Sequence, residues 1–390
     1  DVEALSTFTA TPGNGVTRLP FTRQDRLARD YLKGEMQKIG LRVWEDGYST
    51  VFGRREGINP NAPVLMIGSH YDSVINGGPL DGVAGLVAAL EILRVLEESR
   101  IETYHPIEIA AMNDEEGVRF GRGIANSRVM VGLMDEAELE RARDRDGITL
   151  REAMERFGVT PDLESAKRPK DSIKVFLELH IEQGPILEDA AKDLGLVETI
   201  VGIDKYEVTF TGKSGHAGTT PMDHRRDALV AASQFILAVN GIAKEIGNGT
   251  VGTVGELSLS PNASNVIPGC VRLSVDLRST KEEDMKEASA RLAAAAETVQ
   301  NETKVEIALS RILYTPPVKM SEANIEVMER KNQKLGYSLL RMNSGAGHDA
   351  MSMARIAPAS LIFVPSKAGL SHHPDEWTAY EDLERGIELM

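Results

Sequence analysis

The chain reads as an α/β protein: a larger domain built on a mostly parallel sheet, interrupted by a smaller α+β domain. Three observations predict this. The 390 residues exceed what one hydrophobic core usually organises. Strand-like and helix-like segments alternate through the first two-thirds, the pattern of a sheet covered by helices on both faces. From about residue 204 the order changes to β-α-β-β-α-β, the ferredoxin-like arrangement.

The elements follow in order. "APVLMIGSH" is a short apolar run ending in polar residues, and "GVAGLVAALEILRVLEES" behind it has helical periodicity. "PIEIAAMNDEEG" is a second run ending in acids. "KVFLELHIEQG" alternates, with Val175, Leu177, Leu179 and Ile181 expected on one side. "KYEVTFTGKSG" then opens the small domain as a strand, followed by a helix at "RDALVAASQFILAVNGIAKEIG" and strands at "GTVGELSLS" and "VRLSVDLRS". The helix "KEEDMKEASARLAAAAETVQNE" and the strand "KVEIALSRIL" complete it, and "TPP" closes it. "IFVPSKAGLSHHP" returns to the first domain. The expected boundaries are 1–203 plus 315–390 for the large domain and 204–314 for the insert.

Composition narrows the classes. Apolar residues make up 42% and charged residues 26%, the balance of an ordinary globular protein. Lys plus Arg is 44 against 59 for Asp plus Glu, a net charge of −15 that repels nucleic acid and anionic membrane surfaces. Neither is expected as a partner. The one cysteine, Cys270, forms no internal disulfide and is expected as a small buried strand residue in a reducing compartment. No run is expected to reach the roughly 18 apolar residues of a membrane helix, since "DALVAASQFILAVNGIA" is interrupted by Ser, Gln and Asn. No signal-peptide pattern is visible. A cytoplasmic location is the expectation.

Ligands of open parallel sheets collect at the carboxyl ends of the strands. Four runs end there in metal-binding residue types: His70, with Asp81 after a glycine-rich loop; Asn113-Asp114-Glu115-Glu116; His180 and Glu182; and His372-His373. Taken singly each has an ordinary explanation, a satisfied loop histidine, a turn aspartate before Gly82, or a solvated acid pair. Together they suit Zn²⁺, or Mn²⁺ where oxygen donors dominate. Adjacent carboxylates at the end of an apolar strand repel unless a cation compensates. His105 and His224, in polar junctions, are expected at the surface.

The segments "GSHYDSVINGGPLDG", "NDEEGVRFG", "LELHIEQGPILE", "GKSGHAGTTPMDHRRDAL", "NVIPG", "VDLRS", "SGAGHDA" and "FVPSKAGLSHHP" resemble the hydantoinase/carbamoylase-type amidohydrolases, relatives of the aminoacylase-type metallopeptidases. The resemblance runs from about residue 14 to the C-terminus. It implies a metallopeptidase-like catalytic domain with an inserted dimerisation (lid) domain and two divalent ions per subunit, Zn²⁺ or Mn²⁺. His70 and His372 would each terminate one metal site, Asp81 would bridge, and Glu116 and His180 would complete the set. Glu115 would be the general base, and Asp72 would orient His70. His216 would stabilise the oxyanion, reaching the partner subunit's site in a homodimer. The last ligand of the family follows Gly-x-Ser, which selects His372 over His373.

The resemblance also implies a small ureido acid substrate, allantoate or an N-carbamoyl-L-amino acid, cleaved with release of ammonia and carbon dioxide. Arg278 and Asn265 would hold its carboxylate, although from the residues alone a solvated strand-end salt bridge is the favoured reading of Arg278. Gln183, Gly347 and His348 would approach it as well. "HAGTTPM" and "SGAGHDA" lean toward allantoate. A dipeptidase or aminoacylase using the same metals is the enzymatic alternative, and a non-catalytic binding protein on the same fold is the third reading.

Overall fold

The structure, a computed structural model, describes residues 1–390. The chain forms two compact units, Asp1–Glu198 with Lys319–Met390, and Thr199–Val318. The first stretch supplies β1 (Arg42–Glu45), β2 (Val51–Arg55), β3 (Val64–His70), β4 (Ile107–Met112), β5 (Ile173–Ile181) and β6 (Leu194–Ile200). The second unit supplies β7 (Gly202–Thr211), β8 (Gly215–His216), β9 (Val251–Thr253), β10 (Leu257–Ser260), β11 (Val266–Ile267), β12 (Cys270–Ser279) and β13 (Glu306–Thr315). The chain returns with β14 (Val318–Lys319), β15 (Leu339–Ser344) and β16 (Ala359–Val364).

The large sheet runs β1-β2-β4-β3-β5-β16-β6-β14, with β15 also on β6. Its centre, β4-β3-β5-β16, is parallel. The pairs β1-β2, β2-β4 and β16-β6 are antiparallel, so the sheet is mixed toward its edges. The central strands are covered on both faces, which explains the continuous apolar runs of β3 and β4. On β5, Val175, Leu177, Leu179 and Ile181 alternate along one side as expected, the first two half-buried and the last two fully buried, and Phe176, Glu178 and His180 on the opposite side are fully buried too.

The second unit has the sheet order β10-β12-β7-β13, antiparallel throughout. Its edge strand is broken. Both β9 and β10 pair with β12, opposite Asp276–Arg278 and Cys270–Leu273 respectively. Ser274 fills the gap, its hydroxyl accepting the Glu256 N–H at 3.1 Å while its own N–H donates to the Glu256 carbonyl at 3.1 Å. The helices Ala228–Ile246 and Glu282–Thr303 pack Phe235, Val239, Leu292 and Val299 against Val208, Phe210 and Val275 of the sheet. The first of these helices is, against expectation, long and apolar enough by length and composition to cross a membrane. Its apolar residues Ala231, Ala232, Phe235, Val239 and Ile242 recur at helical spacing and fill this core. Cys270 opens β12 half-buried rather than deep in the core, because it sits at the strand's first position.

Candidate metal centre

Parallel pairing brings the strand ends together on one edge. His70 ends β3 in register with Met112 of β4, so residues 113–116 emerge beside it. β5 lies on the other side of β3, and His180 is in register with Phe363 of β16. The loop after β16 carries His372. Asp81 precedes the helix Val83–Glu98, whose N-cap Gly82 has φ +67°. A Cβ at position 82 would lie 2.5 Å from the His70 ring, so only glycine lets this loop curl over the imidazole.

Three groups of ligand-type side chains result, and two of them share Asp81. His70, His180 and Asp81 form the first, and all are buried. His180 Nε2 lies 3.2 Å and His70 Nε2 3.8 Å from Asp81 Oδ1, and the two Nε2 atoms are 3.5 Å apart. Asp81, Glu116 and His372 form the second. His372 Nε2 is 3.1 Å from Asp81 Oδ2 and 3.5 Å from Glu116 Oε2. The two carboxylate oxygens of Asp81 therefore face different clusters. Glu115 Oε2 stands at the margin, 3.9 Å from His70 Nε2.

Backbone carbonyls aim the imidazoles. His70 Nδ1 is 3.2 Å from the Asp72 carbonyl and His180 Nδ1 is 2.9 Å from that of Ile181. Each Nδ1–H donates there, which leaves the Nε2 lone pair toward the cluster. The Asp72 carboxylate does more than face His70. It accepts the Glu115 N–H at 3.0 Å and the Glu116 N–H at 3.2 Å, tying the end of β4 to that of β3.

The electrostatics is that of excess buried negative charge. Burial, reinforced by Glu116 and Asp349, pushes the Glu115 carboxyl well up, although His70 opposes this. Burial and Asp81 push Glu116 to about 8. The hydrogen bond to Asp81 raises His372 to about 9. His70 is raised as well, because Glu115, Asp72 and Asp81 outweigh its burial.

Asp81 Oδ1 and Glu116 Oε1 are buried and meet no hydrogen-bond donor. A buried carboxylate oxygen without a donor, facing imidazole lone pairs, is costly unless a cation sits between them. The residues fit divalent cations on that ground, and the histidine–carboxylate mix suits zinc or manganese.

The other expected residues divide. Gln183 is at the centre: its Nε2 donates to Asp81 Oδ2 at 3.1 Å and lies 3.4 Å from His372 Nε2. Gly347 is half-buried in the turn before the helix Asp349–Met353. His348 is fully buried edge-on to His180, ring centroids 4.5 Å apart, with Nε2 2.9 Å from Ser344 Oγ.

Glu182 is occupied in accepting the Ile186 and Leu187 N–H groups at 2.7 and 2.8 Å. His373 is exposed, its Nδ1 accepting the Asp375 N–H at 3.1 Å, and it belongs to neither cluster. His224 is exposed, and His105 is half-buried with its Nδ1 2.7 Å from the Pro63 carbonyl.

His216, Asn265 and Arg278 belong to the second unit. His216 is exposed on the β8-β11 ribbon, and its Nδ1 accepts the Gly218 and Thr219 N–H groups at 3.0 and 3.3 Å, which puts its proton on Nε2. Asn265 is exposed, and its carbonyl accepts the Ala217 N–H at 3.0 Å. Arg278 makes a two-pronged bond to Asp276, 2.9 and 3.1 Å, among its interactions.

Sequence reasoning missed Glu178 and Glu376. Glu178, fully buried, accepts Ser69 Oγ at 3.1 Å and the Ala350 N–H at 2.9 Å, and falls within ligand distance of His180 and His348. Its only trace in the sequence is a charge inside the apolar run of β5.

A parallel-centred sheet whose strand ends gather three imidazoles and the Glu116 carboxylate around one shared aspartate forms a candidate metal centre. The family described as peptidase family M20/M25/M40 matches residues 66–390, and the chain belongs to it. Among its relatives is an N-carbamoyl-L-amino acid amidohydrolase of Geobacillus stearothermophilus, 42% identical, with 97% of this chain and 92% of that protein covered. An allantoate amidohydrolase of Bacillus subtilis is 35% identical over 100% of this chain and 94% of its own. The solved structure of a hydantoinase/carbamoylase family amidase from Burkholderia multivorans superposes with a TM-score of 0.90 at 37% identity, covering 100% of this chain and 94% of that one. The chain is a hydrolase of the amidohydrolase type.

Proposed function

We propose that the protein hydrolyses the carbamoyl C–N bond of a small ureido acid, an N-carbamoyl-L-amino acid or allantoate, releasing ammonia and carbon dioxide. The observation that carries this is the pair of clusters sharing Asp81, with Glu115 beside them and outside both. His70, His180 and Asp81 would hold one divalent ion, and Asp81, Glu116 and His372 the other. Two bound ions supply Lewis-acid polarisation of the scissile carbonyl and of the attacking water. Glu115 takes the proton from that water and delivers it to the leaving nitrogen.

Arg278 and Asn265 are assigned to the substrate carboxylate, since a guanidinium fork matches that planar anion. Gln183 and the turn at Gly347 are assigned to the ureido group. His216, with Nε2–H free to donate, is assigned to the oxyanion of a partner subunit in a homodimer. Exposed Val230 and Leu237, on one helix of the second unit, support an association surface there.

The identity of 42% to the N-carbamoyl-L-amino acid relative against 35% to the allantoate relative puts the former substrate first in the assay. Ammonia release is measured from both compounds, with dipeptides and N-acetyl amino acids alongside, in protein loaded with Mn²⁺ or Zn²⁺. Turnover of dipeptides or N-acetyl amino acids above both carbamoyl compounds would establish the dipeptidase or aminoacylase alternative instead.

A further inference from the structure

Glu376 is 2% exposed, yet it belongs to neither cluster. Its Oε1 accepts the N–H groups of Leu80 and Asp81 at 3.1 and 3.0 Å. Its Oε2 accepts Ser371 Oγ at 2.8 Å. One carboxylate thus ties the segment carrying Asp81 to the segment carrying His372. Gly78 makes room for it: a Cβ there would collide with the Cβ, Cδ and Oε1 of Glu376.

The two clusters are mounted differently. His70 and His180 stand on adjacent central strands, each Nδ1 fixed by a carbonyl. His372 is on a loop, half-exposed at 49%, with φ +56°, a conformation that non-glycine residues rarely hold unless their surroundings impose it. The contacts binding that loop to Asp81 run through Ser371, Gln183 and Glu376.

We propose that Glu376, seated against Gly78, is a positioning residue for the outer cation site (Asp81, Glu116 and His372) and sets its occupancy independently of the inner site (His70, His180 and Asp81). This rests on the metal-centre reading above. Glu376 spends its oxygens on backbone and hydroxyl donors, so it acts through the orientation of Asp81 and His372. The outer ion is the exchangeable one.

The test is equilibrium dialysis of the full chain against Mn²⁺ alone, with metal counted by elemental analysis and folding followed by circular dichroism. The wild type binds two ions per subunit. Glu376→Ala retains the inner ion and weakens the outer one about 10–100-fold, the usual loss when a residue supporting a ligand is removed. Glu376→Gln restores most of the outer affinity, because its carbonyl oxygen still accepts both N–H groups and its amide can donate to Ser371. Gly78→Ala, which displaces Glu376 while leaving the carboxylate in the chain, reproduces the Ala phenotype. Two ions bound with wild-type affinity by both Glu376→Ala and Gly78→Ala would overturn the proposal. Equal loss of both ions would also overturn it, showing Glu376 to support the site as a whole. A wild type that binds no Mn²⁺ would instead refute the metal-centre reading, and this proposal with it.

Discussion

Glu115 and Glu116 are neighbours in sequence and tied by the same Asp72 carboxylate, yet their replacement by glutamine is expected to lower activity by different routes. Glu116 Oε2 lies 3.5 Å from His372 Nε2, inside a cluster with Asp81. Glu115 lies outside both clusters, 3.9 Å from His70 Nε2. Gln in either place preserves shape and leaves the backbone N–H to Asp72 intact. Glu115→Gln removes only a proton acceptor. General acid–base catalysis contributes about 10²–10⁴ in rate, equivalent to roughly 2.7–5.4 kcal/mol of barrier. The expectation is therefore a fall in kcat of that size, KM within a few-fold, two ions per subunit and an unchanged or higher Tm, since burial disfavours this carboxylate. Glu116→Gln should lose the outer ion, and activity with it. Ammonia release under saturating Mn²⁺, with metal content measured on the same samples, separates the two. Full activity in Glu115→Gln, or loss of metal from it, would refute the assignment.

Three further outcomes are expected. Gly82→Ala forces a side chain into a φ of +67° and against the His70 ring, so metal content and Tm should both fall; the positive φ alone costs roughly 1–2 kcal/mol, measurable by denaturant titration. Without metal, Glu116 and His372 have raised pKa values, about 8 and about 9, so the folded state binds their protons more tightly than the unfolded chain does. Their stabilising contribution is complete below about pH 4.5 and 6.5 respectively and is lost as pH rises through the folded values. The Tm of the metal-free protein should therefore fall between about pH 6.5 and 9, and the rise in Tm on adding Mn²⁺ should grow over the same range; a gain that shrinks with pH would contradict this. Phe235→Ala in the fully buried core of the second unit should cost about 3–5 kcal/mol by urea unfolding while metal content is unchanged.

Much of the fold was legible because its signals are local. An apolar run closed by polar residues marks a strand end wherever it occurs, and the ferredoxin-like order of the second unit follows from periodicity alone. The strand ends offered candidate ligands in groups, and the family resemblance selected Glu115, Glu116, His180 and His372 from among their neighbours. Alternation along β5 placed Val175, Leu177, Leu179 and Ile181 on one side, but it could not report that Glu178 and His180 on the other side are buried as well. The helix Ala228–Ile246 passes a length-and-composition test for a membrane span, because a helix face that fills a core raises mean hydropathy as a lipid-facing one does.

The amino-acid order by itself determined the strand ends, the curl at Gly82 and the residue types available for a cation. Tertiary structure decided which donor meets which acceptor. The Glu376 carboxylate reaches the Asp81 N–H across 295 positions, Asp72 reaches Glu115 across 43, and His348 lies against His180 from a different element. Hydrogen bonds and ring contacts act over a few ångströms, so separation along the chain carries no trace of them until parallel pairing sets the strand ends side by side.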